Sequence, residues 1–325
     1  MDAAWWAIAM AGLLVGFVVG LTGMGGGALM TPMMIFFFNV PPLAAVSSDL
    51  VASMVMKPVG GAVHLRRGTV HTDLVRWLVL GSVPSAFAGV LLLRWVGNGA
   101  QTQSVVKTSL GVALLFAAFS MIAKALMDLR KQQQARSGGA PPAEPLEHLR
   151  VRPLPTLLVG VLGGLVVGMT SVGSGSLMIV ALLMLYPSIR AGQLVGTDLV
   201  QAVPLVASAS LGHLLFGDFR LDLTASLLIG ALPGVYLGAR VSSGAPGGVV
   251  RRSLVVVLIA SALKLLGAGT GVLVAFLGAV AVLGPVVWIA VYRRARADRG
   301  RHRSNPYLFL AAATGRWLRS DRDRL

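Results

Sequence analysis

The chain has 325 residues, of which 55% are hydrophobic and 12% charged, and its formal net charge is +16. A mean hydropathy of +0.78, with several apolar runs long enough to cross roughly 30 Å of hydrocarbon, excludes a soluble globular protein and predicts an all-α polytopic membrane protein. The chain has no cysteine, which excludes disulfides and thiolate metal sites.

Apolar runs follow one another along the whole chain. Those of the first half cover residues 5–22, 28–38, 43–64, 74–95 and 104–127. Those of the second half cover residues 153–170, 176–186, 191–215, 222–240, 249–267 and 271–292. The runs 28–38 and 176–186 are short for a span, so they are interpreted as half-helices, tilted short spans or returning limbs of re-entrant hairpins.

A polar segment divides the chain. Residues 128–152 are rich in Pro, Gly and Gln, which predicts a flexible cytoplasmic linker between a first transmembrane repeat, 1–127, and a second, 153–267. An extra C-terminal transmembrane helix is predicted at 268–292, followed by a basic cytoplasmic tail, 293–325. The tail contains ten arginines, and we expect it to lie on the anionic leaflet rather than on nucleic acid.

Positive charges cluster in four regions, which together hold 21 of the 28 Lys and Arg residues. These regions are the loop around Arg66, Arg67 and Arg76, the central linker, the segment from Arg240 to Arg252, and the tail. The positive-inside rule places all four in the cytoplasm, with the N-terminus outside and the C-terminus inside. Each half then contains an odd number of crossings, so the two halves are predicted to be inverted relative to each other.

An internal repeat agrees with this prediction. Residues 18–30, "VVGLTGMGGGALM", and 166–178, "VVGMTSVGSGSLM", are identical at eight of thirteen positions. One residue out of that register, Asp49 matches Asp198, and His64 and His213 each lie fifteen residues beyond their aspartate. Inverted-topology repeats with interrupted helices are typical of secondary transporters.

The two glycine-rich motifs are the strongest candidates for a binding site. A glycine weakens a helix by roughly 1 kcal/mol relative to alanine, so each motif is predicted to interrupt its helix and to point backbone N–H groups and a helix N-terminus at an anion. Close helix packing is the alternative reading, but two related clusters, each beside a short segment, favour binding. The predicted substrate-binding residues are Thr22, Gly23, Gly25, Gly26, Gly27, Lys57, Thr170, Ser171, Gly173, Ser174, Gly175 and Ser176.

Lys57 is the sharpest single candidate because an ionisable residue inside an apolar run is costly. At 100° per residue it shares a helix face with Asp49, Ser53, Gly60 and His64. It is interpreted either as an anion-attracting or proton-carrying group, or as a structural charge that is neutralised by Asp49 or another carboxylate and holds the helix in place. The corresponding position in the second half is Val206, so the cation site is predicted to be asymmetric.

Six further residues are candidates for coupling or gating. The two aspartates lie near predicted helix starts, which favours capping, with proton coupling as the alternative. The two histidines are expected to form interfacial hydrogen bonds, with a proton relay as the alternative. The two prolines are expected to be hinges or to shape the cavity. These residues are Asp49, Asp198, His64, His213, Pro58 and Pro204.

The motifs "GLTGMGGGALMTP" and "SSDLVASMVMKPVGGAVHLRRGTV", with their second-half counterparts, resemble the TauE/SafE sulfite exporter family of bacterial permeases. The resemblance implies a multi-pass protein of the bacterial cytoplasmic membrane. It also implies movement of a small anion, such as sulfite, an organosulfonate or a related carboxylate. No cofactor or metal is expected. The run 271–292 with its arginine tail and the "MKP" at 56–58 depart from the general pattern.

Other classes of function are less favoured. The sequence has no "HExxH", no nucleophile elbow and no phosphate-binding loop, which weighs against an enzyme, including an intramembrane one, and against an ATP-driven pump. The first hypothesis is therefore a secondary transporter for a small anion, with proton coupling a candidate. The alternative is an anion channel whose pore the glycine-rich loops line.

Overall fold

The computed structural model describes residues 3–22, 26–97, 99–136, 150–187, 189, 191–241 and 247–282. Within the first compact unit, Met1–Gly269, these residues form α-helices and no strand. The helices are α1 (Ala3–Thr22), α2 (Gly27–Phe37), α3 (Pro42–Arg66), α4 (Thr72–Trp95), α5 (Ala100–Arg136), α6 (Pro153–Thr170), α7 (Leu177–Leu185), α8 (Ala191–Phe216), α9 (Leu221–Val241) and α10 (Gly247–Leu265).

A second unit comprises Thr270–Leu325. Its described part is an apolar helix, Thr270–Val282, which falls within the predicted extra C-terminal span. The predicted basic tail lies outside the described residues.

The all-α polytopic fold predicted from composition is confirmed. Six helices among the described residues are long and apolar enough to cross a membrane: α1, α4, α5, α6, α8 and α9. Helix α3 is also long, with 25 residues, but Asp49 and Lys57 make it more polar. Because charged groups at membrane depth are expensive, a helix of this kind belongs in the protein interior.

The two short helices follow the glycine-rich loops, as the sequence predicts. Helix α2 has 11 residues and α7 has nine. At a rise of 1.5 Å per residue they are about 16 Å and 13 Å long, roughly half of the hydrocarbon thickness. Neither helix alone is long enough to span the membrane.

Helix α5 is longer than predicted. It continues to Arg136, whereas the apolar run ends at 127 and the linker was expected to begin at 128. Residues 127–136, "MDLRKQQQAR", contain neither proline nor glycine and consist mostly of good helix formers. The helix therefore extends as a polar continuation beyond the apolar run.

Helices from the two halves pack reciprocally and closely. Helix α1 lies along α9, with Gly12 against Leu227 and Gly16 against Ala231, so the two helices run parallel. Small residues allow helix backbones to approach in this way. A side-chain carbon added at Gly16 would come within 2.6 Å of the Ala231 carbonyl oxygen.

Helix α4 lies along α6 in the same manner. Gly81 contacts Leu157 and Gly89 contacts Leu165, so this pair is also parallel. In the alignment of the repeats, α1 corresponds to α6 and α4 to α9. The contact between α1 and α9 is therefore equivalent, by the repeat, to the contact between α6 and α4.

The central helices α3 and α8 run antiparallel. Ser47 meets His213 near the start of α3, and Gly61 meets Val203 near its end. Short connections reverse the chain between α3 and α4, between α4 and α5, and between α8 and α9. Consequently α3, α5 and α9 end on the same side of the bundle, which places three of the four basic regions at one end.

Candidate functional site

A small cavity lies where the start of α2, the middle of α3 and the second glycine-rich loop meet. The volume open to the centre of a water molecule is about 10 Å³, so the cavity has room for roughly one water molecule. The described residues that line it are Gly26, Gly27, Ala28, Ser53, Lys57, Ser171, Gly173, Ser174 and Ser176. Seven of these nine are predicted binding residues.

The second loop turns sharply because three of its residues adopt positive φ. Helix α6 ends at Thr170, and Ser171 takes the left-handed conformation with φ 59°. Gly173 and Gly175 have φ of 127° and 108°, which glycine adopts without the steric cost of a side chain. These glycines allow residues 171–176 to line the cavity before α7 begins.

The first loop contributes a helix N-terminus. The Gly26 carbonyl accepts hydrogen bonds from the N–H groups of Leu29 and Met30 at 3.0 Å and 2.9 Å, which starts α2. Gly27 and Ala28 stand in the first turn, where backbone N–H groups have no intrahelical acceptor, and both line the cavity. The positive end of the α2 dipole is thus at the cavity wall.

Gly27 also joins the two halves. A side-chain carbon at this position would come within 2.8 Å of the Ser171 Oγ and would collide with the Ser171 carbonyl. Glycine is therefore required at 27 for the first loop to touch the second.

Lys57 points into this cavity from α3. The side chain is half-buried, and its Nζ donates a hydrogen bond to the Ser174 Oγ. The ion pairs found among the described residues are Arg76–Asp73 and Arg220–Asp218, both at exposed positions. Lys57 is within electrostatic range of two carboxylates, but its amine contacts a cavity hydroxyl rather than Asp49.

The two aspartates flank the cavity and bind the second loop. Asp49 is fully buried, and its Oδ2 accepts hydrogen bonds from Ser171 at 2.6 Å and from Thr31 at 3.0 Å. The other oxygen, Oδ1, has no described partner. Asp198 is also buried and accepts from the Gly175 backbone N–H and from Gln201 at 3.2 Å.

The expectation that these aspartates cap their own helices is wrong. Helix α3 begins at Pro42 and α8 at Ala191, so Asp49 and Asp198 each lie about two turns inside. Neither helix has an acidic residue in its first turn. The predicted apolar runs begin at or next to these helix starts, so both aspartates lie too far along their helices to reach the free N–H groups of the first turn.

The two histidines differ in their surroundings. The buried His213 has its Nδ1 2.8 Å from the Ser47 Oγ and its Nε2 2.8 Å from the Gly168 carbonyl oxygen. Since a carbonyl only accepts, Nε2 carries a hydrogen, and His213 ties α8 to the last turn of α6. His64 is half-buried, and its Nδ1 lies 2.9 Å from the hydroxyl of Thr69, five residues further along the chain.

Several predicted residues are not among the described residues of the cavity wall. The Thr22 hydroxyl donates to the Val18 carbonyl at 2.9 Å, and the Thr170 hydroxyl donates to the Val166 carbonyl at 2.6 Å. Both side chains thus bond back to their own helices. Gly175, a predicted binding residue, does not line the cavity, and neither do Pro58 and Pro204, the predicted hinges. Gly23 and Gly25 lie outside the described residues.

Two residues of the cavity wall, Ala28 and Ser53, are absent from the predicted site. Ser53 had a usable signal, since it lies one helical turn before Lys57 and faces the same way. Thr31, which bonds Asp49, had none, because its partner is 18 residues away on another helix.

Comparisons with known proteins find a family and several relatives. Residues 8–265 match the family described as Sulfite exporter TauE/SafE. The chain is 37% identical over 261 residues to the probable membrane transporter protein YjnA of Bacillus subtilis (strain 168), covering 80% of this chain and 99% of that protein. It is 24% identical over 249 residues to the probable membrane transporter protein YdhB of the same organism, covering 74% and 91%. No solved structure matches.

Proposed function

Because the chain belongs to the sulfite exporter TauE/SafE family and is a membrane transporter, we propose that it is a secondary transporter for a small anion. The substrate is sulfite, an organosulfonate or a related sulfur-containing or carboxylate anion. The observation that carries this proposal is the amine of Lys57 in a cavity that is otherwise walled by hydroxyls and backbone.

The chemistry of the cavity wall suits an oxyanion. Lys57 supplies a full positive charge, and the first turn of α2 supplies N–H donors and a partial positive charge. Ser174 and Ser176 supply hydroxyls that donate to oxygen without adding charge, whereas the Ser171 hydroxyl already donates to Asp49. Sulfonate, sulfite and carboxylate oxygens accept all of these donors, so the wall selects for anions with exposed oxygens.

Alternating access is supported by the reciprocal packing of the halves. The α1–α9 and α6–α4 pairs exchange the roles of the two repeats, which is the arrangement expected of inverted repeats that rock against each other. The cavity has room for about one water molecule, so an anion requires its walls to separate. A channel would instead need a continuous path lined by the same loops.

Proton coupling is part of this proposal. Asp49 and Asp198 are buried, and a bound anion adds its negative charge close to theirs at membrane depth. A proton on one aspartate removes one of these charges, and the Oδ1 of Asp49, which has no hydrogen-bond partner among the described residues, is an available position for it.

The orientation that we propose has the N-terminus outside and the C-terminus in the cytoplasm of a bacterial cell. Three basic regions share one end of the bundle, and the positive-inside rule assigns that end to the cytoplasm. The start of α1 is at the opposite end.

The test is flux into liposomes that contain the purified full chain. Sulfite, thiosulfate, sulfoacetate, acetate and sulfate are each supplied with and without a pH gradient, and the membrane potential is recorded. Saturable flux of one anion, accelerated by a gradient that supplies protons on the anion's side, supports coupled transport. Conductance that does not saturate and does not depend on the pH gradient would show that the protein is a channel rather than a transporter. Lys57→Met serves as the inactive control.

A further inference from the structure

A second and larger cavity opens at another place in the fold. It lies between the end of α4, the start of α5 and the end of α8, and its open volume is about 50 Å³ by the same measure. Arg94, Gln103, Phe216 and Gly217 are among its lining residues. Helices α3, α5 and α9 begin, and α4 and α8 end, on this side of the bundle, so it is the end opposite the basic loops.

Arg94 is held in this cavity by an aromatic ring. The central carbon of its guanidinium group lies 4.5 Å from the centroid of the Phe216 ring, and that ring packs edge-on against Phe87 at 6.1 Å. A guanidinium group stacked on a ring keeps the N–H groups along its edge available for oxygen atoms. A basic residue at the end of a membrane helix commonly extends its charged group into water. Arg94 is exposed, but its guanidinium group lies over an aromatic ring of α8.

The charges near Arg94 leave it open to an anion. Among the described residues, the ion pairs do not include Arg94. Asp218, which follows Gly217 in the chain, lies 3.3 Å from Arg220, so its charge is compensated by a neighbour. Gln103 accepts a hydrogen bond from the Leu43 N–H at 3.0 Å through its amide oxygen, and the N–H groups of the same amide are the part that a ligand would meet.

The Ser47–His213 pair separates this cavity from the central one. A side-chain carbon at Gly217 would come within 2.7 Å of the Ser47 Oγ and 2.8 Å of the His213 Nδ1. Leu43 lines the outer cavity and Lys57 lines the central one, and they are separated by about 21 Å along α3. The two cavities are therefore distinct places along α3.

We propose that Arg94 and Gln103 form a second anion site, which takes up a small oxyanion at the end of the bundle opposite the basic loops. Its role in transport, delivery of the anion toward Lys57, rests on the proposed function. Binding of the anion at this site does not rest on the proposed function, and it can be measured without a transport assay.

Binding is tested with sulfite and the purified full chain in a maltoside detergent, which contains no phosphate. All variants carry Lys57→Met, so that the central site is removed, and sulfite binding is followed by calorimetry. Lys57→Met alone should bind sulfite, and addition of Arg94→Gln should weaken that binding by about tenfold, the loss expected for a charged hydrogen bond. Equal binding by both proteins would overturn the site.

Arg240→Gln is the matched control. Arg240 also stacks on an aromatic ring, 4.6 Å above Tyr236, but it is not among the residues of the outer cavity. It should leave sulfite binding unchanged, and weakening equal to that of Arg94→Gln would show a general charge effect and overturn the site.

Two further arms identify the ligand and separate the proposals. Phosphatidylglycerol added to the micelles tests a lipid headgroup, and Arg94-dependent binding of the lipid without binding of sulfite would overturn a site for soluble anions. In liposomes, Arg94→Gln should raise the KM for the transported anion several-fold and leave kcat unchanged. If sulfite binding depends on Arg94 but the wild type shows no flux, the transport proposal is wrong and this site stands. If the wild type shows flux but sulfite binding does not depend on Arg94, the transport proposal stands and this site is wrong.

Discussion

The two glycine-rich loops share a sequence pattern but contribute different chemistry. At the positions of Gly26 and Ala28 in the first loop, the second loop has Ser174 and Ser176. The first loop therefore presents backbone and the N-terminus of α2 to the cavity, while the second presents hydroxyls. The repeat supplies two similar sequence motifs, and their different side chains contribute to one asymmetric site.

The charges follow the same division. Lys57 belongs to the first half and bonds Ser174 of the second, and Asp49 of the first half bonds Ser171 of the second. The position equivalent to Lys57 is Val206, which is buried in an apolar cluster. Lys57 and the hydroxyl that it contacts thus come from opposite halves, so relative motion of the halves would change the site itself.

The largest effect is expected from removal of the cation. Lys57→Met should lower transport about 100-fold, because a hydrogen bond to a charged group in a shielded site contributes about 1.5–3 kcal/mol and each 1.4 kcal/mol is a factor of ten. Initial rates of anion flux in liposomes measure it. Lys107→Met, at an exposed position on α5, is the control, and comparable flux from the two variants would remove the cation from the mechanism.

The contact between the loops is tested next by a pair of adjacent glycines. Gly27→Ala should lower the free energy of unfolding by about 1–3 kcal/mol, because the new carbon meets the backbone of Ser171. Gly26→Ala should be nearly neutral, since its carbon meets the flexible side chain of Met30, at 3.1 Å from the sulfur. Denaturation in detergent compares the two, and equal stability would mean that the loops do not rely on this contact.

Much of this arrangement could be predicted from the sequence. The run 153–170 coincides with α6, Pro153–Thr170, because apolar composition and loop residues bound a membrane helix locally. The glycine-rich loops and Lys57 were also predicted, since glycines and a lysine are exceptional inside apolar runs. These signals are local, and they need no knowledge of which helices touch.

What could not be predicted depends on long-range packing. Asp49 finds its partner Ser171 at a separation of 122 residues, and His213 finds Ser47 at 166. Nothing in either local pattern specifies those pairs, and for Asp49 the proximity to a predicted helix start suggested capping instead. The placement of Arg94 on Phe216 also arises only when α4 meets α8.

A smaller effect is expected from the hydroxyls. Ser174→Ala should weaken anion affinity about tenfold, because it removes the hydroxyl that contacts Lys57 in the cavity. Thr22→Ala, in the first loop, should change affinity little, since the Thr22 hydroxyl donates to the carbonyl of Val18 in its own helix. Sulfite titration of the two variants distinguishes them. A larger loss of affinity for Thr22→Ala would show that the first loop, not the second, supplies the hydroxyl that binds the anion.

A final comparison concerns the two histidines. His213→Gln should lower the free energy of unfolding by about 1–3 kcal/mol, since it disturbs two buried hydrogen bonds that join α8 to α3 and α6. His64→Gln should lower it by only about 0.5 kcal/mol, because His64 contacts a hydroxyl five residues away at a half-buried position.

The reason for this difference lies in the residue opposite each histidine. Ser47 gives His213 a hydroxyl from the other half, whereas the position equivalent to Ser47 is Gly196. A side-chain carbon at Gly196 would come within 2.8 Å of the Thr69 carbonyl, so no hydroxyl fits there, and Thr69 supplies one from the same half. Unfolding curves for both variants test the asymmetry. Equal losses of unfolding free energy would show that His64 stabilises the protein as much as His213 does, and the proposed asymmetry between the two histidines would be wrong.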